Sequence, residues 1–270
     1  MKLAVSNIAW DPAEFEEHVG LLGELGCDGV ELAPSCLWPE PAEATRQERT
    51  QIKALIQRAG LEVTGLHSLL YTRPDLQCFK DRQTLRETVA YLKAMAELCA
   101  DLGGRVLVFG SPRNRIRHGR DLEECMAWAV EGFAEVAHTA ARCGVTFCIE
   151  PLAPSETEFI QSSREGMALV ERVGRPHFGL HLDAKALVGA GEDVEGVFRA
   201  YGRRLQHFHV GDPGLAPPGS TGMDHIPIGS ALRRSGYEGY VSIEMRRGFG
   251  PSREVIARSV AYVRQCYLAG

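Results

Sequence analysis

Residues 144–151 read GVTFCIEP, and the reading of this stretch decides the fold. After a glycine stop comes a short apolar strand, with Val145, Phe147 and Ile149 on one side and Cys148 on the other. It ends on the carboxylate of Glu150, and Pro151 stops it. Packing alone gives no reason for an acid at the tip of a buried run. Three later strands end in a related way: HFGLHLD on Asp183, LQHFHV with His209 near its end, and YVSIE on Glu244. Four ligand-type side chains at the carboxyl ends of four separate strands converge only if those strands lie side by side in a parallel barrel, whose strand ends form one face. Alone, each reads as an isolated polar residue satisfied by its neighbours. Four in succession do not.

Working outward, the same punctuation repeats. Strands are predicted at 2–10, 29–33, 61–71, 105–110, 177–183, 205–210 and 240–244, besides the opening stretch. Helices are predicted at 13–25, 45–59, 82–102, 122–143, 164–173, 194–204, 229–234 and 252–267. Asp11-Pro12 begins the first helix and Gly26 closes it; Gly60 and Gly103-Gly104 stop the second and third. Eight strands alternating with eight helices give an α/β protein with a closed parallel sheet, a single (β/α)8 barrel domain over 1–270. The 270 residues suit that size, and no linker divides them.

Composition narrows the function classes. Hydrophobic residues at 44% supply a large core, and a net charge of −5 counts against a nucleic-acid partner. No apolar run approaches the roughly 20 residues needed to span a bilayer, and MKLAVSNIAWD is too short and polar for a signal peptide. The expectation is a cytoplasmic protein without a membrane partner; a homo-oligomer is compatible with the sequence. The eight cysteines include no C-x-x-C, so buried reduced thiols are expected rather than disulfides or a zinc site.

Glu150, Asp183, His209 and Glu244 make a set of three carboxylates and one imidazole. Oxygen-rich ligands with one nitrogen favour Mn²⁺ or Mg²⁺, and tolerate Co²⁺, over the sulfur or multi-histidine sets that select zinc. Removing a proton from a carbon beside a carbonyl is slow because the enediolate is a high-energy anion, which a divalent cation stabilises as a Lewis acid. Two carboxylates then serve as base and acid.

The tracts EPLAPSE at 150–156, HLD at 181–183, HFHVGD at 207–212 and SIEMRR at 242–247 resemble the sugar isomerase/epimerase superfamily with xylose-isomerase-like barrels. The chain is similar above all to the ketose 3-epimerases and the inosose or hydroxypyruvate isomerases. The ligand intervals of 33, 26 and 35 residues suit that family. The resemblance implies that Glu150 and Glu244 both hold the metal and exchange the substrate proton, and that Glu156 contacts sugar hydroxyls. Two departures stand out. Where ketose 3-epimerases carry a substrate-binding His this chain has Ala186, with Lys185 beside it, and where they carry an Arg it has Leu215. These count against a free-ketose 3-epimerase and favour another small-molecule carbohydrate.

Further candidates for substrate contact are His67 on the third strand, Lys185, and His225 in DHIPIG, which could also bind a second metal or merely cap its loop. Trp10 and Trp38 could wall the sugar's C–H face or simply lid the barrel. Arg113, Arg115 and Arg117, in SPRNRIRHGR after the fourth strand, suit a phosphate or carboxylate, or are a solvated charge run in a loop. Glu31 reads as an acid supporting the site or as a plain salt-bridge partner. His181 and His207, each two residues before a ligand, lie one layer deeper. The expected activity is a divalent-metal-dependent isomerase or epimerase of a sugar, sugar phosphate or related polyol ketone. A metal-dependent dehydratase of a keto-polyol is the alternative. A DNA endonuclease would need a fuller histidine site and a basic face, and a sugar-binding barrel without catalysis would not need both glutamates.

Overall fold

The turn from the fourth long helix into the strand of Glu150 illustrates how the chain builds itself. Asp121 caps that helix by accepting the Glu123 amide at 2.8 Å. After the helix's 22 residues Gly144 takes the left-handed conformation (φ 69°) that ends it, a position a side chain would strain. A computed structural model describes residues 1–269, in which this strand–turn–helix unit recurs around a closed barrel.

In chain order the elements are β1 (Lys2–Ser6), α1 (Phe15–Glu24), β2 (Gly29–Leu32), α2 (Arg46–Arg58), β3 (Glu62–Leu66), α3 (Arg82–Leu102), β4 (Val106–Phe109) and α4 (Leu122–Cys143). There follow β5 (Thr146–Ile149), α5 (Ser163–Val173), β6 (Phe178–Asp183), α6 (Ala184–Gly189), α7 (Val194–Tyr201), β7 (Leu205–Val210), α8 (Ile226–Arg234), β8 (Tyr240–Ile243) and α9 (Ser252–Val263). Each strand pairs in parallel with the next, and β8 returns to β1 through Leu3 opposite Val241 and Val5 opposite Ile243. The expected (β/α)8 barrel is therefore observed.

The main core lies between barrel and helices. Phe109, Phe147 and Phe178 point outward from β4, β5 and β6 onto Phe133 of α4, with ring centroids 5.3, 5.4 and 5.9 Å from it. Burying each ring stabilises by about 1.5–3 kcal/mol, and edge contacts of this kind add about 0.5–1.5 kcal/mol. Because Phe147 and Ile149 face out, strand alternation turns Cys148 and Glu150 inward. Phe147→Ala is expected to cost about 3–5 kcal/mol and to loosen the strand that carries Glu150.

Several boundaries differ from the sequence reading. The apolar run 61–71 is strand only as far as Leu66, because Ser68 adopts φ 50° and turns the chain away. The first strand stops at Ser6, whose hydroxyl accepts the Ile8 amide and opens a 3-10 turn. The described residues contain nine α-helices rather than eight. The unanticipated one is α6, a six-residue helix that Asp183 caps through the Lys185 amide at 2.8 Å. The last helix gives way to a π-helical turn at Arg264–Leu268. All eight cysteines are free thiols, six of them buried. Among the described residues no helix is long and apolar enough to cross a membrane.

Candidate metal centre

The carboxyl ends of β5 to β8 bring Glu150, Asp183, His209 and Glu244 together, each offering one ligand atom within 4.8 Å of the others. All four are buried. Register explains the convergence: Asp183 lies opposite His209, and His209 opposite Ser242, two residues before Glu244. Gly110 at the end of β4 makes room for Glu150, since a Cβ there would stand 2.1 Å from Oε2 of that glutamate.

A second tier, from the other half of the barrel, holds these side chains. Glu31 of β2 is fully buried and accepts from His209 Nε2 at 3.0 Å, with the Ser242 hydroxyl on the same oxygen and His207 Nε2 3.1 Å from the other. An ionised carboxylate only accepts, so Nε2 of His209 carries the hydrogen. Nδ1 is thereby left facing the three carboxylates, 3.6 Å from Glu244 and without a hydrogen-bond partner. His67 bonds Glu244 Oε1 through Nδ1 at 3.1 Å, and its Nε2 takes the hydroxyl of Ser6 at 2.5 Å. An orphaned buried imidazole nitrogen beside three carboxylates fits a divalent cation, with the carboxylate–histidine support such ligands usually have. The cluster already draws a cation, for the Lys185 ammonium bonds Asp183 and lies 3.4 Å from Glu244.

Electrostatics divides these acids. Burial raises Glu150 to about 8, with the Lys185 charge opposing and the Glu244 charge reinforcing it. Burial also raises Asp183, again against Lys185. For Glu244 the burial penalty is outweighed by Lys185, His209 and the His67 bond, which hold it well below the usual carboxylate range. Glu31 is likewise held down, by His209 and His207 against burial. Burial and the adjacent imidazoles keep His181 well below its ordinary value, so that it is neutral, with both nitrogens unpartnered.

Glu150 and Glu244 open on a cavity lined also by Gly110, Ser111, Leu152, Glu156, Lys185, Gly214 and Leu215. Glu156 and Lys185 are thus where a substrate would meet them, and Leu215 presents an apolar face. Other candidates lie elsewhere. His225 is fully buried, with Nε2 on Asp212 at 2.8 Å and Nδ1 on the Tyr267 hydroxyl at 2.7 Å; both nitrogens are used, and it is not among the residues lining the cavity. Trp10 stacks on His18 of α1, centroids 5.2 Å apart, and is not among the residues lining the cavity. Trp38 is buried after β2 and is not among the residues lining the cavity. His67 orients Glu244, its nitrogens being occupied. Arg113 sits beside the cavity, on the loop after β4.

Two residues take parts that the sequence reading does not give them, Arg115 being read there only as a candidate anion contact. Arg115 is fully buried, donates to the Glu150 carbonyl at 2.8 Å, and leaves Nε and Nη2 unpartnered. Asp212 clasps the loop after β7 by accepting from the Gly219 and Thr221 amides, the Thr221 hydroxyl and His225. The only signal for Asp212 was its place in HFHVGD.

Comparison with known proteins places this geometry. The family model described as "Xylose isomerase-like TIM barrel" matches residues 19–266. D-psicose 3-epimerase of Ruminiclostridium cellulolyticum is 28% identical over 253 residues, 90% of this chain and 83% of that protein. Among solved structures, a D-psicose 3-epimerase crystallised in the presence of D-fructose superposes with a TM-score of 0.84 at 22% identity, over 98% of this chain and 99% of that one. The 3-keto-D-glucoside 4-epimerase from E. coli gives 0.83 at 21% identity, over 98% and 100%.

Proposed function

The chain belongs to the xylose isomerase-like TIM barrel family, and from that premise we propose that it is a divalent-metal-dependent isomerase or epimerase of a sugar, sugar phosphate or related polyol ketone. The observation that carries this reading is the convergence of Glu150 and Glu244, from strands three apart around the barrel, on one cavity. Glu150, Asp183, His209 through Nδ1, and Glu244 would hold the ion, of the Mn²⁺ or Mg²⁺ class. When bound, a divalent ion supplies Lewis-acid stabilisation for negative charge developing on the substrate's oxygens.

The chain's own residues do the rest. One glutamate takes the proton from the carbon beside the carbonyl, and the other returns a proton. Return to the opposite face inverts that carbon, and transfer along one face gives an aldose–ketose interchange. Glu156 and Lys185 bind hydroxyl oxygens at the cavity wall. His67 keeps Glu244 oriented, and Arg115, through the Glu150 carbonyl, fixes the tip of β5. A D-psicose 3-epimerase among the relatives supports ketose chemistry, whereas Ala186 and Leu215 in place of that pattern's polar residues support a substrate other than a free ketohexose.

Incubating the protein with candidate ketoses and Mn²⁺ in deuterated water tests the reading. Deuterium incorporation without loss of water is expected, dependent on both glutamates. Stoichiometric loss of water would make the protein a lyase, and absence of exchange across sugars, sugar phosphates and keto-polyols would refute proton transfer.

A further inference from the structure

A second, small pocket adjoins the candidate metal cavity and shares Ser111 with it. It is lined by Ser68, Leu70, Tyr71, Pro74, Arg113 and Asn114, from the loops after β3 and β4. Ser68 also touches His67, the residue that orients Glu244, at 3.3 Å. The compartment therefore opens where a substrate's far end would emerge.

Its charge is unbalanced. Arg73 and Arg117 on the same loops pair with Asp75 at 2.6 Å and Glu158 at 3.7 Å. Arg113 enters no ion pair among the described residues; its guanidinium lies against the Tyr71 ring, 5.9 Å from the centroid. Stacking on an aromatic face leaves the guanidinium's edge donors free. Tyr71 is itself 69% exposed, an outlay of aromatic surface with no partner. On the same loop Arg115 is a further cation, fully buried, bonded to the Glu150 carbonyl and with two donors unpartnered.

The walls are preformed. Gln77 donates to the Arg113 carbonyl at 2.8 Å, Asn114 donates to the Arg73 and Leu76 carbonyls at 2.8 and 2.6 Å, and the Cys78 amide returns to the Asn114 carbonyl at 2.8 Å. Ser68 and Ser111, whose side chains line the compartment, hold φ of 50° and 38°. Strained non-glycine residues of this kind gather at ligand clamps.

We propose that these two loops form an oxyanion subsite, with Arg113 as its charged donor, for a phosphate or carboxylate that the substrate carries away from its reacting carbons. The inference rests on the isomerase or epimerase reading and narrows its substrate class to anionic sugars. Arg113 and the Ser68 and Ser111 hydroxyls supply the forked and single donors that such an oxyanion accepts.

The test is calorimetric binding to the full chain with Mn²⁺, using a ketohexose, its terminal phosphate ester and the corresponding ketohexuronate. At least one anion is expected to bind about 10–100-fold more tightly than the neutral ketose, the gain of a charge-assisted hydrogen bond. Comparing the ester with the uronate tells phosphate from carboxylate. In Arg113→Gln the anion-to-neutral ratio should fall toward one, and Arg113→Lys should restore part of it. Equal affinities for all three ligands, or an undiminished ratio in Arg113→Gln, would overturn the subsite. Because binding needs no turnover, an anion preference without deuterium exchange would leave the subsite standing and remove the isomerase reading. Exchange without anion preference would do the reverse.

Discussion

Replacing Glu31 by glutamine is the sharpest probe of how the ligand tier is held. The carboxylate faces three donor groups, His209 Nε2 at 3.0 Å, His207 Nε2 at 3.1 Å and the Ser242 hydroxyl, in a place without solvent. An amide of the same shape keeps one accepting oxygen and turns a donor toward donors. In the metal-free protein it also removes the charge that, with Glu244, raises His209 to about 10 despite its burial. Removing one partner from a buried charged pair typically costs about 3–5 kcal/mol. Against a typical total stability of about 5–15 kcal/mol, Glu31→Gln should still fold. Groups that support a metal-bound histidine are worth about 10–100-fold in metal affinity, or about 1.4–2.8 kcal/mol. Competition with a chromophoric chelator for Mn²⁺ would measure this, beside urea unfolding of the metal-free protein. Lower stability with Mn²⁺ affinity within about twofold of wild type would refute the reasoning, since Glu31 would then merely fill the barrel.

Glu150→Gln and Glu244→Gln should retain measurable metal yet lose turnover by about 10²–10⁴ at saturating Mn²⁺. Asp183→Asn should act mainly through the metal and recover partly with excess ion; recovery of both glutamate variants to near wild-type rates would contradict their proton-transfer role. Gly110→Ala would set a methyl 2.1 Å from Glu150 Oε2, so titration calorimetry should register weaker metal binding, with little change in the melting temperature if only that carboxylate moves. For Asp212, burial alone would raise the carboxyl, but bonds from His225 and the Thr221 and Gly219 amides hold it below the ordinary range. A depressed carboxyl contributes stability above the unfolded value near 4, lost as pH falls through its own lower value. Asp212→Asn should therefore be less stable than wild type at pH 7, with a gap that closes progressively below about pH 4 in acid-unfolding curves.

The fold was legible because its punctuation is local. Asp81 and Gly103 bracket α3, and Asp121 and Gly144 bracket α4, so those bounds can be read directly. The third strand was over-read because LHSLLY remains apolar beyond it, and burial in a packed loop looks like burial in a strand. The short helix α6 escaped because six residues hold too little periodicity and its cap is a metal-ligand candidate. The four ligands were legible through their strand-end positions. Glu31 was legible as a candidate support, but not which residue it holds, because Glu31 and His209 are 178 residues apart and meet only when the barrel closes. His225 misled for a related reason, since the groups that occupy its nitrogens lie 13 and 42 residues away. Of the arginines after β4, which one turns inward depends on packing that sequence spacing does not encode.

All four candidate ligands lie in the C-terminal half of the chain, from residue 150 onward, yet two of the groups that hold them, Glu31 and His67, come from the first quarter. An emerging or truncated polypeptide can carry every coordinating atom and still lack the struts that hold His209 in one tautomer and Glu244 in one orientation. A fragment beginning at Gly144 should therefore capture Mn²⁺ more weakly than the whole chain. Closure of β8 onto β1 thus brings these struts to the candidate ligands, and the proposed proton transfer would await it.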